Sequence, residues 1–203
     1  MPRLVLASKN KGKLRELKRM LAGSSWEPYS VADFPQLPPV VEDGETFREN
    51  AVKKALTVAK ILKEWTLADD SGLEVDALGG APGVFSARFA GEPGDDKKNN
   101  EKLLRLLANI PIEQRTARFR CVLALVSPGG EVWTTERTCG GLIGLTPRGN
   151  RGFGYDPLFY LPELGVTMAE LPEEKKNEIS HRGKAMKDLL AHLKAIAAQD
   201  RID

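Results

Sequence analysis

The hydrophobic period changes early in this chain. Leu4-Val5-Leu6-Ala7 is a continuous apolar run, the pattern of a short buried strand. Leu14, Leu17, Met20 and Leu21 then recur at helical spacing, and Gly23 stops the helix they predict. A second strand is predicted over 27–31. Residues 35–44 contain three prolines and read as a loop. Thr46 and Glu49 make a Thr-x-x-Glu capping box opening a long helix, whose apolar stripe is Ala51, Val52, Ala55, Leu56, Ala59 and Leu62. Trp65-Thr66-Leu67-Ala68 is again continuous and apolar, and predicts a buried strand that ends at Asp69 and Asp70.

Residues 78–94 are rich in glycine and proline and are predicted to be mostly loop. A helix over 98–107 turns Leu103, Leu104 and Leu107 inward. Strands over 118–127 and 131–140 are joined by the hairpin signal Pro128-Gly129-Gly130. A second glycine-rich loop covers 147–154, and Phe159-Tyr160 suggests one more short strand. Ser180 caps a final helix with the stripe Met186, Leu189, Leu190, Leu193, Ile196 and Ala197. There is no internal repeat, low-complexity tract or flexible linker. The pattern predicts an α/β fold with a mixed sheet and long crossover helices.

Composition narrows the class. The 203 residues are enough for one large domain or two small lobes. Hydrophobic residues make up 41% and charged residues 29%, ordinary for a soluble globular protein. Lys and Arg number 30 against 28 Asp and Glu, a net charge of +2, and the charges are interspersed. That balance argues against a dedicated nucleic-acid binder. No apolar run approaches the ~20 residues that span a bilayer. Cys121 and Cys139 lack metal spacing and suggest free thiols in a reducing compartment, so a cytoplasmic protein is expected.

The candidate chemistry begins at Asp69-Asp70-Ser71-Gly72. Adjacent carboxylates at a buried strand's end are poorly placed for folding. With a hydroxyl and a glycine following, they suit a hard cation such as magnesium near a phosphate. Ser8-Lys9-Asn10-Lys11-Gly12-Lys13 lies between a strand and a helix N-terminus, where unpaired amides and the helix dipole favour an anion. It is not a Walker A loop: Ala7 stands at the opening glycine and Leu14 follows the lysine. A solvated basic turn reads about as well on this segment alone. Glu42 and Asp43 matter only if the fold returns them to Asp70. In Arg151-Gly152-Phe153-Gly154-Tyr155-Asp156-Pro157, glycines permit close backbone approach and aromatic faces can stack on a base. A tight turn with core aromatics is the plainer alternative. Ser180-His181-Arg182 sets two basic side chains in a first helical turn, against the dipole, which an anionic or carbonyl-bearing ligand would offset. His192 is expected to be a surface residue.

Together these signals describe an enzyme acting on a nucleoside triphosphate. The chain also closely resembles the inosine triphosphate pyrophosphatase family, the XTP/dITP diphosphatases. The resemblance covers nearly the whole length. Its motifs are Leu4-Val5-Leu6-Ala7-Ser8-Lys9-Asn10, Ala68-Asp69-Asp70-Ser71-Gly72-Leu73, Gly79-Gly80-Ala81-Pro82-Gly83, Ser86-Ala87-Arg88, Gly152-Phe153-Gly154-Tyr155-Asp156-Pro157 and Ile179-Ser180-His181-Arg182-Gly183.

The resemblance implies an elongated mixed central sheet with flanking helices, formed by one domain over 1–203 with two lobes around a substrate cleft. It also implies a homodimer. The implied reaction is magnesium-dependent hydrolysis of dITP, ITP or XTP to the monophosphate and pyrophosphate. Carried across, Asp70 is the proton acceptor and a metal ligand. Ser8, Lys9, Asn10, Lys11, Gly12 and Lys13 grip the triphosphate, with Ser71 nearby. Phe153, Gly154, Tyr155, Asp156, Lys176, His181 and Arg182 hold the nucleoside. Many members place a metal-binding glutamate three residues before the glycine matching Gly44. This chain has Val41 there, and Glu42 is assigned to the metal through a one-residue shift in the loop. The rivals are a Maf-like pyrophosphatase acting on modified pyrimidine triphosphates and a non-catalytic nucleotide-binding protein.

Overall fold

The computed structural model describes residues 1–199. Its strands are β1 (Arg3–Leu6), β2 (Glu27–Ser30), β3 (Trp65–Val75), β4 (Thr116–Val126), β5 (Val132–Ile143), β6 (Phe159–Leu161) and β7 (Val166–Thr167). The helices are α1 (Lys11–Met20), α2 (Phe47–Leu62), α3 (Asp96–Leu106), α4 (Glu173–Ile179) and α5 (His181–Gln199), with short 3₁₀ turns between elements. The strands form one seven-stranded sheet in the order β2-β1-β3-β4-β5-β6-β7. β1 pairs in parallel with both β2 and β3, whereas β6 pairs antiparallel with β5 and β7, so the sheet is mixed. Parallel neighbours need long crossovers, and α1 and α2 supply them.

The chain divides into two compact units. The first comprises Met1–Asp70, Val122–Glu136 and the segment from Ala185 on. Leu4, Val5 and Leu6 are completely or almost completely buried in it, as expected for a strand with neighbours on both sides. Leu17 of α1, Ala51, Ala55, Val58 and Ala59 of α2, and Leu189 and Leu193 of α5 are also buried. Thr46 caps α2 in the predicted box: its hydroxyl accepts from Glu49 N while the Glu49 carboxylate accepts from Thr46 N. His192 departs from expectation. It is half-buried and stacks on Trp133, 4.4 Å between ring centres and 7° from parallel, and burial lowers its basicity.

The second unit comprises Ser71–Cys121 and Arg137–Lys184. Its core gathers Leu73, Val75, Leu103, Leu107, Phe119, Ile143, Leu158, Phe159 and Met168. The Phe119 and Phe159 rings pack with centres 4.3 Å apart, tilted by 31°. Three elements differ from the sequence reading, one being the short strand β7, which that reading lacks. β3 does not end at the paired acids but continues through Ser71 and Gly72 to Val75. The apolar residues Leu73 and Val75 on its far side are fully buried and extend the strand. A short helix, α4, precedes the Ser180 break and carries Lys176. Gly183 fits there because a side chain would collide with the Asn177 backbone at the end of α4.

Candidate active site

In the first unit, the turn from β1 into α1 is held by its own polar side chains. Asn10 caps α1, its Oδ1 accepting from Gly12 N at 2.8 Å and Lys13 N at 3.2 Å. Ser8 Oγ accepts from Asn10 N at 3.2 Å, and Ser30 Oγ donates to Ser8 O at 2.8 Å. Lys9 and Lys11 are exposed, and no acid lies in the first turn of α1. Lys13 is turned the other way: its Nζ lies 2.6 Å from Oδ2 of buried Asp69.

Asp70 is the next residue in β3, and α2 supplies its surroundings. Asn50 is 2% exposed; its side chain hydrogen-bonds Asp70, and its Oδ1 accepts from Gly44 N at 2.8 Å. One turn further, Lys54 Nζ donates to Asp69 O at 2.7 Å and lies 3.2 Å from Glu42 Oε1. Burial pushes the Asp70 carboxyl up to about 6. Lys54 and the Asn50 hydrogen bond pull it down, while Glu42 and Asp69 push it up further. The loop therefore does return an acid to Asp70. Glu42 is that acid; Val41 is 65% exposed, and Asp43 pairs with Lys53 at the surface.

Asp70 and Glu42 are hard oxygen donors, which suits a magnesium ion in kind. Among the described residues no cluster of three or more such ligands is ready-made. Two carboxylates match the usual magnesium pattern, in which water and substrate phosphate complete the shell.

In the second unit, the 152–156 turn is closed on itself. Asp156 is 4% exposed, and its Oδ2 accepts from Phe153 N at 2.9 Å and from Lys176 Nζ of α4. Gly152 has φ +81°, and a Cβ there would collide with that carboxylate and reach 2.8 Å from Lys176 Nζ. Phe153 is 72% exposed, with Lys176 Nζ 5.1 Å from its ring centre. Tyr155 lies the other way, in the core, donating to Ser86 O at 2.7 Å. Burial holds its phenol protonated. Ser180 Oγ accepts from Gly183 N at 3.1 Å and begins α5. His181, at its first position, stacks on Phe119 with ring centres 4.9 Å apart. Arg182 beside it is half-buried, and Ser71 follows Asp70 in β3.

A model of the Ham1 family matches residues 4–192. The chain belongs to the Ham1 family. It is 58% identical over 185 residues to the dITP/XTP pyrophosphatase of Desulforamulus reducens, covering 91% of this chain and 92% of that one. The dITP/XTP pyrophosphatase of Geobacter sulfurreducens is 55% identical over 95% of this chain and 97% of its own. Among solved structures, the HAM1 protein of Coxiella burnetii superimposes with a TM-score of 0.91 at 41% identity, covering 96% of this chain and all of that one. The Ham1 protein of Staphylococcus aureus gives 0.89 at 42% identity, covering 95% of this chain and 98% of that one.

In this Ham1 chain the sequence-predicted residues differ in what they present. Lys9, Lys11, Lys13, Asp70 and Glu42 present charged groups. Ser8, Asn10 and Asp156 direct their polar atoms to neighbouring backbone or to Lys176. Gly12 contributes its amide to the Asn10 cap. The Tyr155 side chain is in the core and cannot serve as a stacking surface, so its backbone is what it offers a ligand. Two residues around Asp70 escaped the sequence reading, Asn50 and Lys54. Each lies off the apolar stripe read in α2, at Asn50 and then Lys54 one turn on, and that i, i+4 polar pair beside the stripe is the available signal.

Proposed function

We propose that this protein hydrolyses the triphosphates of non-canonical purines (dITP, ITP and XTP) to the monophosphate and pyrophosphate, clearing them from the nucleotide pool. The observation that carries the chemistry is the buried Asp70 carboxyl, set beside Lys54, Asn50 and Glu42 and pushed up to about 6 by its burial. A general base works best when its affinity for a proton lies near the operating pH, and such a base contributes about 10²–10⁴-fold. Close relatives over more than 90% of the chain are dITP/XTP pyrophosphatases, which supports the substrate class.

Asp70 Oδ accepts a proton from the water that attacks the α-phosphorus. Lys54 holds Glu42 and the Asp69 carbonyl beside it and limits the repulsion between the acids. Exposed Lys9 and Lys11, with the α1 N-terminus, take up charge on the departing pyrophosphate. Lys13 is held towards Asp69 and assists from there. Magnesium, held by Asp70 and Glu42, would neutralise phosphate charge and lower the pKa of bound water.

The nucleoside end is read in the second unit. Phe153 offers an exposed ring for stacking, and Lys176, His181 and Arg182 are donors for the oxygen that hypoxanthine and xanthine carry at position 6, where adenine has an amino group. A site whose buried donors are left unpaired by the wrong base discriminates by about 10⁴–10⁵. Ser71, the residue after Asp70, is assigned to the triphosphate on this reading.

The protein acts in the cytoplasm as a homodimer on this reading. Neither Cys121 nor Cys139 is in a disulfide and both are buried, as suits a reducing compartment. No helix among the described residues is long and apolar enough to cross a membrane.

Pyrophosphate release measured with dITP, ITP, XTP, GTP, ATP and a modified pyrimidine triphosphate, with and without magnesium, tests the proposal. Release confined to the first three and dependent on the ion is expected. Preference for the pyrimidine, or binding without release, would overturn it. Sedimentation velocity tests the dimer.

A further inference from the structure

Gly154 is gripped from both sides by one helix. Asp96 Oδ2 accepts from Gly154 N at 2.7 Å, and Asn100 Nδ2 donates to Gly154 O at 2.8 Å. Asp96 and Asn100 are one turn apart at the start of α3, and Asn100 Nδ2 also donates to Asp96 O at 2.9 Å. Those two carbonyl partners fix which way the Asn100 amide points. Neither residue belongs to a motif of the glycine-rich loop.

The grip falls on a residue that cannot hold its own shape. Gly154 has φ +59°, open space around its missing side chain, and therefore the widest conformational freedom in the loop. The flanking residues are held by other means. Phe153 N donates to Asp156 Oδ2 at 2.9 Å, Asp156 N donates to Phe153 O at 3.2 Å, and Tyr155 OH reaches Ser86 O. Each of the four consecutive residues thus makes at least one hydrogen bond that holds it, yet the side chain they carry outward, Phe153, is 72% exposed. A surface turn with no ligand gains little from such rigidity. An aromatic ring that must meet a flat base gains directly, because its orientation is set before binding.

We infer that Asp96 and Asn100 are positioning residues for nucleoside recognition, acting through the Gly154 backbone to orient Phe153. This rests on the reading that the 153–156 loop meets the nucleoside. The carboxylate of Asp96 makes a charge-assisted hydrogen bond to Gly154 N, the stronger of the two attachments. Asn100 holds the opposite face of the same residue. Because the clamp acts on the Gly154 backbone, it governs how tightly the nucleoside is held and leaves the chemical step alone.

The experiment compares wild type with Asp96→Ala, Asp96→Asn and Asn100→Ala on dITP, alongside inhibition by inorganic tripolyphosphate, which has no nucleoside. Asp96→Ala and Asn100→Ala are expected to raise KM for dITP about tenfold each, with kcat within twofold of wild type. Asp96→Asn keeps an acceptor oxygen and recovers most of the loss. Tripolyphosphate inhibits all four proteins equally. Unchanged KM in an active protein would overturn the clamp, and so would weakened tripolyphosphate inhibition in parallel with KM, which would mark a general structural defect. A wild-type protein that does not release pyrophosphate from dITP would overturn the underlying reading of the loop, and the clamp's role with it.

Discussion

Lys13 Nζ lies 2.6 Å from Asp69 Oδ2, so a lysine expected to face the triphosphate is held by the acid that precedes the proposed base. The pair joins α1 to β3, and the Asp69 side chain is only 3% exposed. Removing one partner of a buried pair is more harmful than the pair is helpful, because a charge stays in a poorly solvated place. Lys13→Ala should lower stability by about 2 kcal/mol, less than a fully buried pair because Lys13 is partly solvated. Lys9→Ala and Lys11→Ala, at exposed positions, should stay within about 0.5 kcal/mol of wild type. Urea denaturation of the three variants decides this; equal losses would mean the ion pair has no special weight.

Asp70 sets activity against stability. Its carboxyl is raised from 3.8 to about 6 in the folded protein, so the folded state holds this proton more tightly than the unfolded chain does. Stability is then fully present below about pH 4 and is lost as pH rises through about 6. Two pH units correspond to roughly 3 kcal/mol, reduced to about 2 for the partly solvated side chain. With a chelator present, Asp70→Asn should be more stable than wild type by that amount at pH 7.5 and no more stable at pH 4. Its pyrophosphate release should fall at least about 100-fold. A variant with wild-type turnover would end the role of Asp70 as base.

Glu42, not Val41, brings a carboxylate to Asp70. Glu42→Gln should therefore raise the magnesium concentration for half-maximal activity by about tenfold, and should lower the Asp70 carboxyl by removing a repulsive neighbour. Val41→Ala, at a 65% exposed position, should change neither. Titrating each variant with magnesium distinguishes them, and a Val41 effect equal to that of Glu42 would reverse the assignment.

Gly152→Ala tests the closed turn of the second unit. An alanine at φ +81° is strained, and its methyl would displace the Asp156 carboxylate from Phe153 N and Lys176. Stability should fall by about 2 kcal/mol or more, and KM for dITP should rise with tripolyphosphate inhibition unaltered. Unchanged KM would show that the Asp156–Lys176 pair does not support nucleoside binding.

The elements with a continuous or strictly periodic apolar pattern were legible in the sequence. β1, α1, α2 and the last helix all form where the pattern puts them, because burial of those stripes is what makes the elements stable. β3 was cut short because its two acids looked like a strand end. In the fold, Lys13, Lys54 and Asn50 come from distant positions to receive them, so the strand passes through. α4 was missed because seven residues with one apolar position, Ile179, carry no periodic signal. Tyr155 read as a stacking ring because composition cannot say which of two alternating aromatics faces inward.

The sequence by itself determined the family, the fold class and the residues whose chemistry matters, since motifs and apolar periods are written in local order. Only the tertiary structure decided which neighbours each of those residues meets. It turned Lys13 towards Asp69, brought Glu42 rather than Val41 to Asp70, buried Tyr155 and tied Gly154 to Asp96 and Asn100. Each of these depends on groups well separated in the chain coming together in space. Such meetings are set by how the elements pack, which local order does not encode.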